Sequence, residues 1–210
     1  RLGRLGHKAY RATILELSEG AFRRSLGLTT PSYSEEETVN GMPLPPGTDP
    51  VPDPELTQEQ VEAVAEYIRF LAPAAPPPLE SEAARDTLEW GRQIFVQLGC
   101  PACHVPSMTT GPNEIEALDR KTVFLYSDLL LHDLGADRPT ICGPTATPAE
   151  VRTARLMGVR FRDVNMHDSR AVSVDQAIRL HGGEAAMARE RYSILGGAER
   201  GFLRRFILSL

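Results

Sequence analysis

The pattern C-x-x-C-H occurs once in the chain, at Cys100, Cys103 and His104 in the stretch GCPACHVPS. It constrains the fold more than any other feature, because every chemistry that uses it dictates the surroundings. A redox dithiol of this spacing belongs in a strand-helix-strand context, and here the motif ends a helical pattern. A zinc site needs further ligands at suitable distance. Only Cys142 and scattered histidines are on offer, and His104 follows Cys103 too directly for finger spacing. Covalent haem attachment asks for what is present. Two intervening residues set the separation of two thioether sulfurs, and the next histidine is aimed at the metal. The expectation is one covalent haem c, held by Cys100 and Cys103, with His104 binding its iron.

Bulk properties fit that reading. The 210 residues suffice for one or two small domains with a real core. The net charge of −5 argues against a basic nucleic-acid binder, and no apolar run is long enough to span a bilayer. Aromatic residues make up only 6% of the chain, a core that a buried planar cofactor would help to fill. The sequence opens at Arg1 with no secretory signal, which reads as a processed or truncated start. Three cysteines leave Cys142 over, read as a half-buried small residue without chemistry.

Punctuation along the chain predicts mainly α structure. Residues 1–28 read as a loop and a helix, and 29–56 as turns. Thr57 and Gln60 form a capping box before a stripe of Val61, Val64, Ala65, Ile68 and Leu71. APAAPPPLE is a stiff linker. It places a domain boundary between a helical, proline-rich segment 1–75, the remnant of a first domain, and a cytochrome c-like haem domain 76–210 of helices and long loops. From Ser81 a helix puts Ala84, Leu88, Gly91, Phe95 and Leu98 on one face. Gly91 costs about 1 kcal/mol against Ala in mid-helix, which suggests that another helix or a cofactor comes close there. Residues 105–165 are irregular. A helix from Ser173 carries Val174, Ala177, Ile178 and His181 on one side, and HGG breaks it. EAAMARERYSIL resumes helical spacing, and the terminal helix buries Phe202, Leu203, Phe206, Ile207 and Leu210. Trp90 and Tyr126 read as core or haem-edge packing.

The second axial position of the iron decides between an electron carrier, with both faces filled, and small-molecule chemistry at an open face. The candidates are His7, His132, His167 and His181, and Met108, Met157, Met166 and Met187. His132 and His167 each precede an aspartate, which suits an imidazole bonded to backbone or to a propionate. Met166 reads as core.

Several stretches in order, YSDLLLHDLG, VRTARLMGVR, MHDSRA and DQAIRLHGGEA, ending in FLRRFILSL, resemble the C-terminal part of the di-haem oxidoreductase family. That family is also labelled peroxidase or thiol oxidoreductase and is related to bacterial di-haem cytochrome c peroxidases. GRLGHKA and GAFRRSLGLT resemble its mid-chain segment. The resemblance implies that the residue fourteen places after a turn histidine is the distal ligand of the electron-transferring haem. The turn histidine here is His167, and His181 stands fourteen places on. His181 also falls on an apolar helix face, before a glycine pair that would let backbone approach the porphyrin. A core histidine, His132 or a methionine are the alternatives. His167 and Arg170 are expected at the cofactor, Arg170 because a guanidinium fork suits a propionate.

The family carries two haems, and this chain has one attachment motif. His7 stands where the family favours an aromatic; it reads as a loop residue, or as one reaching a haem in a partner chain or missing domain. The chain is therefore expected to be a periplasmic or cell-surface c-type cytochrome, since haem c is attached outside the cytoplasm. It would pass single electrons through a bis-histidine haem to other redox proteins, within a larger assembly. The alternative is the haem-bearing half of a di-haem peroxidase or oxidoreductase. The thiol label of the family would mislead, because both motif cysteines are spent on thioethers.

Overall fold

The computed structural model describes residues 2–38, 40–79, 81–135 and 146–210, and Cys142 lies outside the described residues. The chain divides into two compact units. The first comprises residues 1–6 and 10–72, the second 7–9 and 73–210.

Two capped helices form the first unit. Thr13 caps α1 (Ile14–Ala21) by accepting from the Glu16 backbone, and the Glu16 carboxylate answers by accepting from Thr13 N–H. A wide π-type turn, Phe22–Leu26, continues it and ends at Gly27 in the left-handed region. In α2 (Gln58–Arg69), Thr57 and Gln60 make the predicted capping box. Val61 and Ala65 are buried, whereas Val64, Ile68 and Leu71 are partly exposed. The predicted stripe is thus narrower than its spacing suggests.

The second unit is built around α3 (Glu82–Leu98) and α6 (Gly197–Leu208), each other's main packing partners. Ser81 caps α3 by accepting from Ala84 N–H. Ile94, Phe95 and Leu98 of α3 pack with Leu203, Phe206 and Ile207 of α6 in one buried cluster. Gly91 explains how closely the helices cross. A Cβ placed there would lie 2.3 Å from the Phe202 carbonyl oxygen and 2.6 Å from Phe206 Cβ. Trp90, one residue earlier, points into water, 58% exposed, rather than packing at a core or cofactor edge. It falls on the face of α3 turned away from α6.

Shorter elements complete this unit: α4 (Val174–Arg179), capped by Ser173, and α5 (Ala186–Ser193), with Tyr192 buried. Two antiparallel ladders interrupt the irregular stretch. One pairs β1 (Met108–Thr109) with β2 (Thr122–Val123), the other β3 (Leu131–Asp133) with β4 (Glu150–Arg152), placing His132 opposite Val151. The segment 7–9 is tied to this unit. Arg152 N–H donates to the His7 carbonyl at 2.8 Å, and the buried Lys8 ammonium donates to the carbonyls of Thr147, Pro148 and Glu150. Among the described residues no helix is long and apolar enough to cross a membrane. The architecture is mostly α with few strands, consistent with a cytochrome-like fold.

Gly91→Ala is expected to destabilise the protein by about 2 kcal/mol or more, because overpacking against α6 outweighs the better helix propensity of alanine. Gly111→Ala, where nothing lies within 4 Å of the added carbon, should change stability by no more than about 0.5 kcal/mol. Denaturant unfolding of the two variants checks this; equal stabilities would contradict the close crossing.

Candidate cofactor site

Gly99 ends α3 in the left-handed region, with φ 88°, and its reversal starts the short turn Cys100–Ala102. His104 N–H donates back to the Cys100 carbonyl at 2.9 Å, so the motif is wound into one compact loop. A strap of residues 126–128 lies against this loop. Tyr126, Ser127 and Asp128 donate their N–H groups to the carbonyls of Pro106, Val105 and Cys103 at 3.3, 2.9 and 2.9 Å. Tyr126 has φ 52°, an uncommon backbone for a bulky residue, and its carbonyl accepts from His104 Nδ1–H at 3.0 Å. Its ring packs edge-on against Phe95 and Phe206, both at 6.0 Å, so the core holds the strap from the other side.

The loop opens on a cavity of about 390 Å³ within the second unit. All five histidines of the chain line it: His7, His104, His132, His167 and His181. Cys100 and Cys103 line it too. The structure therefore brings together Cys100, Cys103, His104, His167 and His181, and gathers in the two histidines read as marginal. Arg170 stands apart: its backbone N–H and its Nε both donate to Asp168, and it is not among the lining residues.

The five imidazoles differ in what they hydrogen-bond. His104 Nδ1 faces a carbonyl, which can only accept, so Nδ1 carries the proton and Nε2 is the basic nitrogen. Burial, chiefly, pushes His104 down to about 4, so it is neutral near pH 7, as a metal ligand must be. His181 has the same arrangement, its Nδ1–H donating to the Ala177 carbonyl at 2.7 Å. It is close enough to His104 for its charge to depress that group further. A ligating histidine generally has its other nitrogen held in this way.

His132 is different. Its Nε2 meets Asp128 and its Nδ1 meets Glu184, each at 2.8 Å. Two carboxylates can be satisfied only by two ring N–H groups, so this imidazole is cationic. Burial alone would lower its pKa, but the bonds to Glu184 and Asp128 outweigh it and hold it above the usual value. Cys103, Asp128 and His132 present ligand atoms within 4.8 Å of one another. A histidine protonated on both nitrogens cannot bind a metal, which disfavours zinc there. His167 sits in a turn flanked by Met166 and Ser169 at φ 70° and 60°. Its Nδ1 is buried without a hydrogen-bond partner, and its ring meets that of His7 edge-on at 6.3 Å.

The glycine pair after His181 meets backbone of this chain closely. A Cβ on Gly183 would lie 2.3 Å from the Asp133 carbonyl oxygen, and one on Gly182 would lie 2.8 Å from that of Leu134. The pair thus lets the His181 turn close onto the backbone at the end of β3 and just after it.

Both thiols are disfavoured as thiolates. Burial pushes Cys100 up to about 11 and raises Cys103 as well. That is the reverse of what dithiol redox chemistry requires. Large apolar walls, two half-buried thiols and two imidazoles with fixed tautomers fit a haem. Cys100 and Cys103 would hold its edge, and His104 and His181 would supply nitrogens to its iron.

Fold and site together define a haem-bearing redox protein. The chain belongs to the di-haem oxidoreductase family: residues 1–210 match the family described as "Di-haem oxidoreductase, putative peroxidase". No curated protein matches the chain. Among solved structures it is similar to Kuenenia stuttgartiensis hydrazine synthase, in a form pressurized with xenon, at 20% identity and a TM-score of 0.49. That match covers 73% of this chain and 55% of the other, so the chain spans about half the length of the solved one.

His132 is expected to titrate above its ordinary value of 6.5, and Glu184→Gln to bring it back down. Because the folded value is raised, the pair's contribution to stability is complete below about pH 6.5 and fades as pH rises through the raised value. NMR titration of the His132 ring, with unfolding measured on either side of that window, checks both. A His132 that titrates below 6.5 would contradict the double carboxylate contact.

Proposed function

We propose that this chain is a c-type cytochrome that transfers single electrons through one covalent haem with histidine on both faces. The observation that carries this reading is the matched pair His104 and His181. Both line one cavity, and both donate Nδ1–H to a backbone carbonyl, at 3.0 and 2.7 Å. Haem, when bound, supplies a one-electron couple whose potential its axial ligands help to set.

Each residue then has a defined task. Cys100 and Cys103 give their thiol sulfurs to the thioethers. His104 is fixed in angle by the Tyr126 carbonyl and by the strap behind it. His181 is fixed by the Ala177 carbonyl at the end of α4. Two imidazoles held by the backbone would let a bound haem change redox state with little rearrangement. A second histidine in place of methionine lowers the potential. Partners on this reading are other redox proteins, in a larger assembly. A periplasmic or cell-surface location goes with covalent attachment, which takes place outside the cytoplasm.

A pyridine haemochrome assay should count one haem per chain. Ferric EPR and near-infrared spectra should be low-spin bis-histidine, and His181→Ala should abolish that signature. Peroxide turnover with a reduced electron donor should be absent. Low-spin spectra that survive His181→Ala would remove that residue as ligand, and turnover would favour the peroxidase alternative.

A further inference from the structure

Helix α4 is six residues long and has no fully buried residue, yet its Ala177 carbonyl holds the His181 ring. A helix this short is not stable by itself, so its place comes from its contacts. Val174 and Ile178 rest against the core cluster. Apolar contact of that kind is non-directional and does not by itself stop the helix from sliding or turning. Directional contacts come from one residue of α5. The Tyr192 hydroxyl donates to Asp175 Oδ1 at 2.5 Å, in the first turn of α4. The Arg179 guanidinium, in the last turn, stands over the Tyr192 ring, 5.5 Å from its centroid. Residues four apart lie on one face of a helix, so a single side chain grips α4 at both ends. Ala177 lies between the two grips.

Tyr192 is firmly seated. It is 1% exposed, belongs to the core cluster with Phe95, Leu98 and Phe206, and meets a second guanidinium, that of Arg200, at 5.3 Å. Burial, chiefly, and the bond to Asp175 push its phenol up to about 12, so it keeps its proton and donates. The other partner of Asp175, Arg204 of α6, lies at 3.5 Å in a pair open to solvent, a weak contact by comparison. Backbone bonds complete the link to the imidazole. Leu180 N–H donates to the same Ala177 carbonyl and His181 N–H to that of Ile178, each at 3.1 Å, so the turn that carries the ring follows α4 as one piece.

We infer that Tyr192 is the positioning residue of His181: it clamps both ends of α4 and so fixes the carbonyl that orients the imidazole. This assignment rests on the reading of His181 as an iron ligand and adds what holds that ligand in place. Tyr192 acts through α4 and needs no contact with the cofactor.

Tyr192→Phe tests this in the holoprotein, because it keeps the ring, its packing and its stacking and removes only the hydroxyl. Arg204→Gln, which cuts the other bond of Asp175, is the control. Asp175→Asn is the milder second variant, and it decides alone should Tyr192→Phe yield no folded holoprotein. The ferric protein is mixed with cyanide, which must displace an axial histidine to bind; His181 is the one free to leave, since His104 adjoins the covalent attachment. Tyr192→Phe should bind cyanide about tenfold faster, the size expected when a hydrogen bond to a charged group is lost. Its EPR spectrum should stay low-spin with shifted g values, and amide hydrogen exchange should quicken at Ala177, Leu180 and His181. Asp175→Asn should move the rate in the same direction by less, and Arg204→Gln should leave rate and g values unchanged. A Tyr192→Phe protein that loses only unfolding stability, with cyanide rate and g values unmoved, overturns the inference, because a side chain that merely fills the core would give that result. So does an equal effect from Arg204→Gln, which would assign the effect to α6 instead. If the low-spin signature survives His181→Ala, the ligand assignment falls and this inference with it. A signature lost in His181→Ala beside an unmoved Tyr192→Phe overturns this inference alone.

Discussion

Helices α3 and α6 cross as closely as they do because position 91 has no side chain, and the site depends on that crossing. With α6 backbone 2.3 Å from where a Cβ would stand, the last two turns of α3 are pressed into the buried cluster. Gly99 then delivers Cys100 at a fixed point beside it. Phe95, Phe206 and Tyr126 meet edge to face at 5.4 to 6.0 Å just behind the motif. The crossing therefore sets more than helix packing. It braces the Tyr126 strap, and the strap carries the carbonyl that orients His104. A shift of α6 would reach the candidate iron ligand through two rigid contacts.

The cavity shows how one residue type takes several states within one space. Its imidazoles are sorted by what the backbone and neighbouring acids offer them. A carbonyl on Nδ1 puts the proton of His104 and of His181 on that nitrogen and defines Nε2 as the one that can bind. Carboxylates on both sides make His132 a cation. At His7, burial and then its cationic neighbours oppose protonation. Those assignments come from geometry alone and need no metal to be present.

Much of this architecture was legible in the sequence, and the parts that were not share a cause. The Thr57 and Ser81 caps, the break after His181 and the close approach at Gly91 are local signals, written within a few residues. The motif Cys100-x-x-Cys103-His104 carries its own spacing rule. Arg170 and the Gly182–Gly183 pair were read toward the cofactor, and the structure adds contacts of each within the protein, to Asp168 and to backbone at the end of β3. Trp90 looked like packing because aromatic residues usually are, but it is exposed. The carbonyls that meet Gly182 and Gly183, and the Tyr126 carbonyl that holds His104, lie far along the chain from those residues, where no local pattern could show them. The arginines that line the cavity were equally hidden. They are scattered from Arg152 to Arg191 in an acidic chain, and only folding gathers them.

Burial of Cys100 and Cys103 separates two chemistries that share one motif. A redox dithiol works through its thiolate, so such sites place positive charge or a helix N-terminus beside the sulfur. Here the motif follows a helix C-terminus, where the dipole is negative. Asp128 and Glu184 also raise Cys103 further. None of the arginines that line the same cavity contributes to either thiol's shift, and Arg191, which lies nearest the motif, is directed at the Gln97 and Leu98 carbonyls. A fold selected for thiol-disulfide exchange would have put its positive charge beside the sulfurs. Thiols kept protonated by burial suit a cavity whose cysteines are consumed once, in forming bonds to a cofactor.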